Sequence, residues 1–218
     1  GFFQTVRQPY ARYDAEVWNN RKYYINRFDI WQESTDALGN PLPLAQRIVK
    51  PILYFIAEDY PVEMIPAAKR IGELWNQGFV QALKDVGYPI TNDTVAFDVC
   101  ENPVTETSSN ACQTAGLGLK LFGDLRYNFL KLARPKGTVN PLGFGPGSHD
   151  QRTGQTINAW SVTYYAALNT YAKRALDMVK MYNGEINSED REFLERDYFE
   201  GLQASLEGQF GEDGDDEH

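Results

Sequence analysis

The sequence predicts an α/β (α+β) fold built on a mixed, mostly parallel, twisted sheet, and three observations carry that expectation. Pro51-Ile52-Leu53-Tyr54-Phe55-Ile56-Ala57 is a continuous apolar, β-rich run, the signature of a central strand buried on both faces. A long, strongly periodic helix follows it. Further strand-like segments then precede a helical C-terminal part, the order of a layered domain in which the first helix crosses over between parallel strands.

Residues 1–47 are aromatic and irregular, and read as an N-terminal extension or the tail of a preceding domain. Within them, residues 23–31 alternate well enough for one strand. Leu38-Gly39-Asn40-Pro41-Leu42-Pro43 is turn chemistry, with prolines that deny ladder hydrogen bonds. After the central strand, Ile65, Ala68, Gly72, Trp75, Phe79, Ala82 and Val86 fall on one helical face, with Lys69, Glu73, Gln77 and Lys84 off it. Gly87 stops this helix and Pro89 forbids its return. Trp75 and Phe79 are read as core.

Residues 94–100 form a second strand, 124–132 a third and 157–165 a fourth, the last two separated by a glycine-rich loop. Leu168, Tyr171, Ala175, Met178, Val179 and Tyr182 stripe a further helix, and the tyrosines over 164–182 are also read as core. Asn187-Ser188-Glu189-Asp190 caps a final helix with acidic residues that suit a helix N-terminus. Residues 48–210 thus make the main domain, and 211–218 an acidic, disordered tail.

With 218 residues, the chain is long enough to bury a proper core. A net charge of -9 argues against sequence-independent nucleic-acid binding, which needs clustered Lys and Arg. No apolar run reaches the length needed to span a bilayer. Cys100 and Cys112 bracket a polar loop that cannot pack by itself, which favours a disulfide worth about 3 kcal/mol over two free thiols. A lone local pair of this kind suits an exported protein.

Three stretches stand in an order that resembles a known enzyme family. The first is Ile71-Gly72-Glu73-Leu74-Trp75-Asn76-Gln77-Gly78-Phe79, leading to Val86-Gly87-Tyr88. The second is Arg126-Tyr127-Asn128, and the third runs from Gly143-Phe144-Gly145-Pro146 to Asp150-Gln151-Arg152-Thr153-Gly154-Gln155-Thr156-Ile157. Together they resemble the N-terminal part of the catalytic domain in bacterial, exported, zinc-dependent metallopeptidases of the metzincin-like kind. Gln151 and Gln155 stand where that family usually has Pro and Glu. The resemblance covers residues 48–165 and implies a zincin-like N-terminal subdomain.

It also implies a zinc site on a later helix, His-Glu-x-x-His-x-x-Gly-x-x-His, whose Glu serves as general base. Only His149 and His218 occur here, and neither begins that pattern. The zinc ligands are therefore expected outside this chain, which alone should be inactive and bind no zinc. His149 reads as a surface imidazole in a glycine loop.

Asp150, Arg152 and Gly154 read as a structural turn. Asp accepts backbone N–H groups, Gly154 supplies a positive φ, and Arg152 forks onto a carboxylate or loop carbonyls. The alternative makes Asp150 an acid/base, but no titratable partner stands near it in sequence. The strand at 157–165 is read as an edge strand lining a peptide cleft, with Asn158, Trp160, Ser161 and Val162 as candidate substrate-binding residues. The acidic tail lacks the ligand spacing of a calcium loop. Two functions follow as expectations: one wall of a secreted metallopeptidase cleft, partnered by a peptide or protein substrate and by the remainder of its own polypeptide, or a non-catalytic binding or structural module that kept the fold without the zinc site.

Overall fold

A computed structural model describes residues 4–7, 22–134, 142–185 and position 196. The final helix read from 187–190 onward and the acidic tail at 211–218 lie outside the described residues. The chain divides into two compact units, one of Gly1–Leu132 with Phe144–Val162, the other of Ala133–Gly143 with Thr163–His218.

The architecture is α/β, with a mixed sheet of mostly parallel strands and a few helices. In the first unit, β1 (Gln4–Arg7) and β2 (Lys22–Ile25) form an antiparallel pair. The strand expected over 23–31 is therefore shorter than its alternation implied. Beyond it the backbone is tied to its surroundings in other ways. Gln32 N–H donates to Ile48 O at 2.9 Å and Lys50 N–H to Ile30 O at 2.8 Å. The Tyr88 hydroxyl donates to Arg47 O at 3.0 Å.

The six-stranded sheet contains β3 (Ile52–Ile56), β4 (Phe97–Cys100), β5 (Asn128–Ala133), β6 (Gly143–Phe144), β7 (Gly147–His149) and β8 (Thr156–Tyr164). Its order is β4-β3-β5-β8-β6, with β7 also paired to β8. β3 runs parallel to both β4 and β5, so its apolar run is central, as its composition demands.

α1 (Ile65–Asp85) lies between β3 and β4 in the chain and packs on one face of the sheet. Ala68, fully buried, meets Ile56, Val99 and Leu130 there. Gly72 sets the closeness of that packing. A Cβ at this position would stand 2.9 Å from Val99 Cγ2 and 3.1 Å from Val99 N. The opposite face holds Phe55 and Phe129 beneath a loop that contains α2 (Asn110–Gln113). Cys100 and Cys112 are joined by a disulfide within this second cluster. Lys120 is buried there as well; its Nζ donates to Gly116 O at 2.9 Å and lies over the Tyr127 ring.

The second unit contains α3 (Tyr165–Tyr182). Tyr171 and Tyr182 on it are exposed, which corrects the reading of the tyrosine stripe as core. Among the described residues, no helix is long and apolar enough to cross a membrane.

Candidate functional site

The turn that opens β8 is built around Asp150. Its Oδ1 accepts Arg152 N–H at 3.0 Å, its Oδ2 accepts the Thr153 hydroxyl at 2.8 Å, and its carbonyl accepts Gly154 N–H at 2.7 Å. The carboxylate is thus engaged by its own loop, the geometry of an Asx turn. Gly154 has φ +74°, and a Cβ on it would collide with Ile25 O and approach Tyr24 Cβ. The turn is therefore pressed against the end of β2. Arg27 completes the contact: its N–H donates to Gly154 O at 3.1 Å, its O accepts Thr156 N–H at 2.7 Å, and its guanidinium reaches Thr153 O at 2.6 Å. The arginine whose guanidinium donates to a loop carbonyl is Arg27, through a single bond, while exposed Arg152 contributes its backbone N–H.

β8 is an interior strand, which corrects its expected place at the sheet edge. β5 lies on one side of it and the short β6 and β7 on the other. Glycine and proline erase any apolar alternation in 143–149, yet residues 147–149 pair antiparallel with β8. Gly147 faces Ala159, Ser148 faces Asn158, and Pro146 O accepts Trp160 N–H at 2.8 Å. Among the described strands, the outer position beside β8 accordingly belongs to β6 and β7. Gly145, Gly147 and Ser148 are exposed there. His149 Nδ1 sits 3.1 Å from Thr156 Oγ1, anchoring the strand's end.

This exchange of positions changes what the nominated residues touch. Asn158 is 2% exposed, and Trp160 packs its ring 4.7 Å from that of Phe122 beneath the disulfide loop. Asn158 Oδ1 and Trp160 Nε1 are buried with no hydrogen-bond partner among the described residues. Val162 is buried too. Ser161 points to the other face, where it lines an apolar groove of about 250 Å³ with Ile71, Trp75, Phe79, Phe97 and Leu130. Trp75 is 58% exposed and Val86 is exposed too, so this part of the striped face of α1 is not core as its periodicity implied. Tyr54 also lines this groove, and burial pushes its phenol up to about 12.

That shift has a measurable consequence. An unfolded tyrosine ionises near 10, so the folded state holds the extra proton over the interval from about 10 to 12. Tyr54 therefore contributes stability that is fully present below pH 10 and lost as pH rises to about 12. The near-ultraviolet absorbance titration should contain a late tyrosinate step that Tyr54→Phe removes. A titration unchanged by that variant contradicts the burial.

Two landmark asparagines work as clamps that periodicity alone did not reveal. Asn76 on α1 accepts Ala96 N–H at 2.8 Å and Phe97 N–H at 3.1 Å, occupying the donors with which β4 begins. Asn128 donates to Leu53 O and accepts Ala159 N–H, both at 2.8 Å, and so joins β3 to β8 across β5. Asn128→Leu leaves both backbone groups unpaired and is expected to cost about 2–4 kcal/mol. Asn128→Asp keeps the acceptor for Ala159 N–H but sets a carboxylate oxygen against Leu53 O, so it should destabilise as well. Denaturation midpoints for both variants equal to that of the wild type count against this bridge.

Among the described residues, the one group of potential metal ligands close enough to share an ion is Asp98, Cys100 and Cys112. Both sulfurs belong to the disulfide and offer no thiolate. For the same reason the 3.4 Å approach of Cys112 Sγ to Asp98 Oδ2 is a contact without a proton. Asp98 instead accepts the Ser109 hydroxyl at 2.5 Å. These residues do not fit zinc. The disulfide suits an oxidising, non-cytoplasmic environment. Comparison of the chain with protein-family models, curated proteins and solved structures finds no match.

Proposed function

We propose that this chain is the N-terminal portion of the catalytic domain of an exported, zinc-dependent, metzincin-like metallopeptidase, and that it forms one wall of a peptide-binding cleft. The observation that carries the reading is β7, which among the described residues pairs with β8 alone and runs antiparallel to it on a mostly parallel sheet. Gly147 and Ser148 are exposed on it, and an extended peptide can meet the backbone of such an outer strand by strand addition. The substrate-facing role assigned to Asn158 and Trp160 passes to this strand, because their side chains turn inward. In the zincin-like reading α1 is the right-handed crossover between β3 and β4.

The zinc ligands lie in the remainder of the polypeptide. The apolar groove beside Trp75 supports that view, since a sheet of this kind needs helices over both faces and, among the described residues, α1 leaves part of one uncovered. The chain alone is expected to hydrolyse no peptide and to bind no stoichiometric zinc, while the polypeptide extended beyond His218 does both. In the extended protein, a peptide N-methylated at alternate amides should bind at least about tenfold more weakly than its parent, a loss of about 1.4 kcal/mol. Tight one-to-one zinc binding by residues 1–218, or equal affinity for the two peptides, overturns the proposal.

The second reading, a non-catalytic module that retained the fold, is favoured by one observation. α3, the helix that follows β8 directly, carries no histidine. A continuation lacking His-Glu-x-x-His selects this reading.

A further inference from the structure

We draw no further inference here: the strongest candidate, the open apolar groove between α1 and the sheet lined by Ile71, Trp75, Phe79 and Leu130, belongs to the site already described, and nothing in the structure shows what else covers it.

Discussion

Gly154→Ala is expected to destabilise the fold by about 3 kcal/mol. Two costs combine. An L-residue held at a left-handed φ loses roughly 1–2 kcal/mol, and forcing an extra carbon into a packed site costs about 1–3 kcal/mol more. The collision is with the Ile25 carbonyl and the Tyr24 Cβ, neither of which is the far end of a flexible side chain. Gly39 provides the control. It has φ +85° but nothing within 4 Å of a built Cβ, so Gly39→Ala should show the backbone cost alone. Urea denaturation of both variants separates the two terms. If Gly154→Ala loses no more than Gly39→Ala, the turn does not press on the end of β2.

Removing the disulfide should have a comparable effect. Cys100 and Cys112 close a short loop, and the chain-entropy argument gives about 3 kcal/mol for it. At this chain length that corresponds to a fall of roughly 6–12 °C in Tm. The sulfurs also fill space between Phe55, Val104 and Phe129, so Cys100→Ala with Cys112→Ala gives up packing as well as connectivity. Both cysteines are almost fully buried, at 1% and 3% exposure, which denies a thiol reagent its approach. Reduction should thus be slow in the native protein and accelerate in denaturant. Rapid reduction without loss of structure, or a double variant that melts with the wild type, contradicts a structural role.

Much of the fold was legible because its signals are local. The run at 51–57 and the helix stripe from Ile65 require only the neighbouring residues to be read, and β3 and α1 follow them closely. The cysteine pair was legible for a similar reason: the loop between them has too little apolar content to hold itself. What a helical stripe does not encode is whether anything covers it, and so Trp75 was expected inside and stands half in solvent. The outer strand escaped for the opposite reason. Glycine and proline at 143–147 leave no side-chain alternation, and pairing there depends on backbone groups that the sequence does not distinguish.

The landmark residues were noticed in sequence for their order, and the structure gives several of them a mechanical role. Asn76 secures the start of β4, Asn128 links β3 to β8, and Asp150 with Gly154 shapes the turn that meets Arg27. The turn of Asp150 and Gly154 is local and readable from its residue types, whereas the contacts of Asn76, Asn128 and Arg27 join residues distant in the chain and cannot be read from spacing.

Asn128 has one more consequence. Strands of a sheet can slide past one another, and a slip of a single residue reverses which side chains face inward. For β8 that error would carry Trp160 away from Phe122 and bring Ala159 under the disulfide loop in its place. A side chain bonded simultaneously to Leu53 O and Ala159 N–H tolerates only one alignment of three strands. Asn128 is therefore a registration pin, and its loss should be felt in misfolding as well as in stability.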